Sequence, residues 1–248
     1  MEMNVVLCTD SSTFLGVELV IYSAMYHNPD VVFHWYILTM ERSITHADGS
    51  RRNFTLFSDF QIEWLSFLVR FMKKGSTLVV KDCTKEYEAE LAGCDNEIHA
   101  FAPHIGLRLM MENLLSDLDR CLCFDTDMLI QGDLKQLYFG YLDGKHDLAG
   151  YTVPNDRNNG YGELNAGTLV YDLDYIRRSG ALERARFYYK NAYYEFPEQG
   201  VLQDTCSVVP LPEYYNYFVG DHKKAVFKPI ILHFTYGNNA IKIYHTTK

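Results

Sequence analysis

Arg120-Cys121-Leu122-Cys123-Phe124-Asp125-Thr126-Asp127 decides the fold of this chain. Residues 120–124 form a short apolar run bounded by turn-forming residues, which reads as a buried strand. Two carboxylates one residue apart follow at once. Where such a strand leaves the buried layer, both acids open toward the ligand edge of a sheet, and in a turn both reach one hard divalent cation. A cation held that way takes oxygen ligands, keeps open positions and bridges to phosphate oxygens. The plainer alternative is a strand-end turn with two solvated acids, because Asp is a favoured turn residue. Cys121 and Cys123 would share one side of the strand, which suits small core residues better than zinc ligands.

Outward from this stretch, strand-like and helix-like segments alternate. Residues 4–9 (NVVLCT) read as a strand that meets the cap-like cluster Asp10-Ser11-Ser12 and then a helix over 14–26. A turn at Asn28-Pro29-Asp30 leads to a strand over 31–39. Residues 41–53 are polar and loop-like, 59–74 form an amphipathic helix ending near Gly75, and 77–81 a third strand. The spacing of Ile105 and Leu109 predicts a helix over 103–118. Further strands fall at 148–152, 168–172 and 230–234, with helices at 182–194 and 198–206. Strands joined to helices by short links predict an α/β fold, a mostly parallel central sheet with helices on both faces. Ligands of such sheets collect at the carboxyl ends of the strands. Three places qualify here: 9–12, 125–127 and His233.

Composition narrows the choice. The 248 residues are 48% hydrophobic and 22% charged, enough to bury a core. A net charge of -9 opposes binding to nucleic acid. No apolar run is long enough to span a bilayer. Six dispersed cysteines and an N-terminus without a basic stretch suggest a reducing, cytoplasmic setting. With no repeats or Pro/Gly/Ser linker, 1–248 is expected to be a single domain. No G-x-G-x-x-G, Walker-type loop, G-x-S-x-G or H-E-x-x-H occurs.

Five motifs now appear in order. They are FDTDMLIQGDLKQLY at 124–138, preceded by Arg108 in GLRLMMENLL; Leu164-Asn165-Ala166-Gly167-Thr168-Leu169; Pro197-Glu198-Gln199-Gly200-Val201-Leu202; and Leu232-His233-Phe234-Thr235-Tyr236-Gly237 with Lys242 beyond. Their order and rough spacing resemble the glycogenin and lipopolysaccharide galactosyltransferase family, family eight of the retaining glycosyltransferases, over nearly the whole chain. That resemblance implies a GT-A-type fold with a nucleotide-sugar half at about 1–130 and an acceptor half at about 131–248. It implies transfer of a sugar from a UDP-sugar donor to a glycan or other hydroxyl acceptor, with retention.

Site roles follow from the same resemblance. Asp125, Asp127 and His233 would hold a divalent cation, usually manganese, with magnesium the alternative; a lone late His is otherwise a packed or surface residue. Thr9, Asp10 and Ser12 would line the donor pocket, with Asp10 accepting the uracil imide proton or else capping the following helix. Arg108, Thr126, Gly237 and Lys242 would approach the diphosphate or sugar, unless Arg108 and Lys242 are solvated surface charges. Asn165 would bond the donor sugar, with Ala166 and Gly167 small so that it can approach the backbone. Gln199 and Glu198 would face the reacting carbon, or simply start a helix. The family's acid after the Gln is Gly200 here, leaving Asp204 as a substitute. Two rival functions are a sugar-nucleotide binder without transfer, as the Gly200 departure suggests, and a D-x-D phosphatase. The tyrosine clusters at 188–189, 193–194 and 214–217 fit helix packing or an acceptor platform.

Overall fold

The computed structural model describes residues 1–99, 102–154, 162–219 and 226–235. In chain order the elements are β1 Glu2–Cys8, α1 Phe14–His27, β2 Val32–Thr39, β3 Arg42–Thr45, β4 Arg51–Phe54, α2 Asp59–Met72, β5 Thr77–Asp82, α3 Thr84–Glu90 and α4 Asp95–His99. A 3-10 segment at Pro103–Met110 leads into α5 Met111–Leu114 and β6 Arg120–Phe124. Then come β7 Met128–Ile130, α6 Lys135–Gly140, β8 Leu148–Val153, β9 Glu163–Asp172, α7 Leu173–Ser179, α8 Ala181–Asn191, α9 Pro197–Thr205, β10 Val208–Pro210, β11 Tyr217–Phe218 and β12 Ile231–His233.

Seven strands form the central sheet in the order β10-β8-β9-β6-β1-β2-β5. Only β9 runs antiparallel to its neighbours; the other pairings are parallel, as the alternation of strands and helices predicts. Strand alternation splits the apolar side chains into two cores. Val6, Cys8, Cys121 and Cys123 face one core, which includes Leu202 and Tyr189 of the C-terminal helices. Val5, Leu7, Leu122 and Phe124 face the other, with Val17 and Ile21 of α1 and Leu65 of α2. Cys121 and Cys123 are fully buried free thiols, as their strand spacing predicts. Among the described residues, no helix is long and apolar enough to cross a membrane.

Two segments differ from expectation. The polar stretch 41–53 holds the antiparallel hairpin β3–β4, with only Ile44 and Phe54 turned inward onto Ala102. The helix expected over 103–118 is instead a 3-10 segment followed by one short α-turn. This segment is enclosed on several sides, so Leu107, Arg108, Leu109, Met110 and Met111 are all buried. Enclosure removes the polar face that an amphipathic helix would present to water. Gly106 lies against Tyr87 and Leu91, where an added Cβ would come within 3.3 Å of the Tyr87 ring.

Candidate active site

Parallel pairing of β1 with β6 sets Leu7 beside Phe124, so both strands end side by side at the carboxyl edge. Asp10 and Asp125 emerge there. The Asp10 carboxylate is buried and accepts bonds from the Ser12 hydroxyl (2.7 Å) and the Thr55 backbone N–H (3.3 Å). Its side chain makes no helix-capping bond, so the capping alternative does not hold. Thr9 is buried, with its hydroxyl 2.5 Å from that of Thr13.

The turn at 125–127 is braced from behind. An added Cβ at Gly16 of α1 would lie 2.3 Å from the Thr126 carbonyl oxygen, so helix and turn pack backbone to backbone. After the turn, β7 pairs antiparallel with β12 and sets His233 opposite Met128. That register delivers the imidazole to the two acids. His233 Nε2 lies 3.2 Å from Asp127 Oδ1 and 3.6 Å from Asp125 Oδ2. One ligand atom from each of the three side chains falls within 4.8 Å of the others.

The tautomer of His233 can be traced from a backbone group. Gly167 N–H can only donate, and it bonds Asn165 Oδ1 at 3.0 Å. That oxygen also accepts from Asn216 Nδ2 at 2.8 Å, which turns Asn216 Oδ1 toward His233 Nδ1, again at 2.8 Å. His233 therefore donates from Nδ1, which leaves Nε2, turned to the carboxylates, as the ring atom able to ligate a metal. Two carboxylate oxygens and one imidazole nitrogen suit a manganese-like divalent ion. Asn216 is completely buried, and no motif in the sequence marks it.

Arg108 is no surface charge: it is 1% exposed. One terminal nitrogen pairs with Asp125 and the other lies 3.3 Å from Glu198. Burial disfavours its charge, but Asp125 and Glu198 outweigh burial and hold the guanidinium protonated. Burial likewise raises the Asp125 carboxyl, yet Arg108 and His233 bring it below the usual range. Glu198 ends above its usual range because burial exceeds the help from Arg108. His104, also unmarked in the sequence, is nine-tenths buried near Asp10, Arg108 and Asp125. Its Nδ1 has no hydrogen-bond partner, and burial lowers its pKa to about 4.

The remaining expected residues divide. Gln199 Oε1 accepts the Ala166 backbone N–H at 2.8 Å, joining α9 to β9 beside the site. The space at Gly167 belongs to His233: an added Cβ would lie 2.4 Å from Cε1 of that ring. Gly200 is small because Tyr194 covers it, 2.7 Å from where its Cβ would be. Asp204 is exposed and accepts the Tyr194 hydroxyl at 3.1 Å, with no bond to the acidic cluster. Tyr189 and Tyr215 are core residues, while Tyr188 and Tyr193 are exposed. Gly237 and Lys242 lie outside the described residues.

No family model matches the chain. It is 27% identical over 186 residues to glycosyltransferase GlyF of Streptococcus pneumoniae serotype 4, covering 70% of this chain and 37% of GlyF. The chain thus spans little more than a third of that relative. Among solved structures, the galactosyltransferase LgtC in complex with donor and acceptor sugar analogues superposes with a TM-score of 0.68 at 17% identity, covering 95% of this chain and 88% of LgtC. The bifunctional glycosyltransferase WbbM gives a TM-score of 0.76 at 15% identity, covering 96% of this chain and 46% of WbbM. The fold is that of the GT-A glycosyltransferases, and the likeness to glycosyltransferase family eight holds in both sequence and structure.

Proposed function

We propose that the chain is a metal-dependent glycosyltransferase that moves a hexose or related sugar from a UDP-sugar to a glycan or other hydroxyl acceptor, with retention. The observation that carries this reading is the convergence of Asp125, Asp127 and His233 at the carboxyl edge of the sheet, with His233 Nε2 turned to the acids. A divalent cation bound by these three supplies Lewis-acid assistance to the departure of the diphosphate. The chain's own residues do the rest. Asp10, fixed by Ser12 and Thr55, accepts the imide proton of the base. Arg108 acts through Asp125 and Glu198, because both its terminal nitrogens are already engaged. Gln199 is tied through its oxygen to Ala166, which leaves its amide NH2 to bond the sugar beside Asn165. Retention rests on the family resemblance.

The test is release of UDP from a panel of UDP-sugars, with and without manganese, by wild type and Asp127→Ala. Metal-dependent release by wild type alone supports transfer chemistry. The replacement of an acid by Gly200, with Tyr194 packed over it, favours one second reading, a donor-binding protein without turnover. Donor binding with no release from any sugar would select it.

A further inference from the structure

On the outer face of α2 the Trp64 indole N–H donates to Glu18 of α1 at 2.8 Å, and among the described residues that contact does not explain the exposed rings around it. Leu65 and Val69 point into the core, while Asp59, Phe60, Glu63, Trp64, Phe67, Arg70 and Phe71 are exposed, as is Lys74 just past the helix end. Phe60, Trp64, Phe67 and Phe71 are 72%, 41%, 53% and 75% exposed. Their spacing of four, three and four residues is that of the apolar seam between paired helices. The rings run on from one another, with centroids 6.0 Å apart for Trp64 and Phe67 and 5.7 Å for Phe67 and Phe71. At 1.5 Å of rise per residue the stripe is about 16 Å long. A contiguous apolar patch of this size is often functional.

The charges beside the stripe select the partner. Asp59 and Glu63 lie on its N-terminal half, and Arg70 and Lys74 on or beyond its C-terminal half; among the described residues none of the four has an ion-pair partner. Acids first and bases last also suit the helix dipole, but the dipole does not call for aromatic rings between them. Turned end for end, the face matches itself. Phe60 meets Phe71, Trp64 meets Phe67, Glu63 meets Arg70 and Asp59 meets Lys74. A two-fold axis produces this pairing. The chain's net charge of -9 opposes association in general, whereas this face is balanced at two acids and two bases. Aromatic side chains of roughly 200 Å² at these exposures give about 1,000 Å² of buried surface for two copies, at the threshold for a specific interface.

We infer that this face binds a second copy of the chain, α2 against α2, antiparallel about a two-fold axis near Ser66. The inference does not depend on the proposed activity. Sedimentation equilibrium on the whole chain at tens of micromolar tests it, with circular dichroism confirming that each variant is folded. Wild type is expected at twice 28.7 kDa and Phe67→Glu at 28.7 kDa. Glu63→Arg and Arg70→Glu should each weaken the dimer at least about tenfold, and the two together should restore it to within about threefold. A monomeric wild type would overturn the inference and leave the face to another partner. A dimer indifferent to Phe67→Glu, or a double reversal no better than the single ones, would overturn it equally.

Discussion

Arg108 and Asn216 hold opposite flanks of the turn at 125–127, one with a full charge and the other with a neutral amide. On the Arg108 side, a buried cation sits between Asp125 and Glu198, so every group pays for desolvation and depends on its partners. On the Asn216 side, a chain of neutral groups runs from Gly167 N–H through Asn165 and Asn216 to His233. It fixes the direction of one ring nitrogen without adding charge to the cluster. The charged flank places a ligand and the amide flank orients one. The first should therefore report mainly in stability and the second mainly in metal affinity.

Breaking the charged flank should have the largest effect. Arg108→Met leaves Glu198 buried without its cation and should cost about 3–5 kcal/mol in urea unfolding. Arg108→Met with Glu198→Leu should recover much of that loss. If the single variant costs under about 1 kcal/mol, the pair is not the brace described. Next comes acid. His104, with a folded pKa near 4, stays neutral while the unfolded chain takes up a proton below pH 6.5. Its contribution is therefore full above pH 6.5 and is lost as pH falls toward 4, by about 3 kcal/mol. His104→Gln should flatten unfolding free energy over that window; an unchanged slope would show that other groups set it.

The amide flank should give a smaller, more selective response. Asn216→Leu should weaken manganese binding about 10- to 100-fold by titration calorimetry. In 15N spectra it should also remove the preference of His233 for the Nδ1–H tautomer. The unfolding midpoint without metal should move less than in Arg108→Met. Loss of stability with metal affinity and tautomer unchanged would reverse the roles assigned to the two flanks.

The same contrast explains what the sequence could say. Asp10, Asp125 and Asp127 were legible because each follows an apolar strand, and strand ends are where such sheets bind ligands. His233 was legible as the end of a late strand, but its meeting with the two acids only through the order of motifs, since that depends on a three-residue strand pairing far along the chain. Asn216 and His104 left no local signal; their roles come from partners on other elements. The hairpin at 42–54 was hidden because its strands bury only Ile44 and Phe54, too few for a period-two pattern. Residues 103–118 failed in the opposite way. Burial on several sides gave apolar spacing that reads as a helix, while tight packing wound the first half of the segment as a 3-10 coil.

The central claim is that Asp125, Asp127 and His233 form one metal-dependent donor site. Its most direct test is the thermal midpoint of wild type and Asp127→Ala with UDP-sugars, with and without manganese. The account predicts a rise in wild type that needs both sugar nucleotide and metal, and no rise in the variant. No shift with any UDP-sugar, or the same shift in Asp127→Ala, would contradict it.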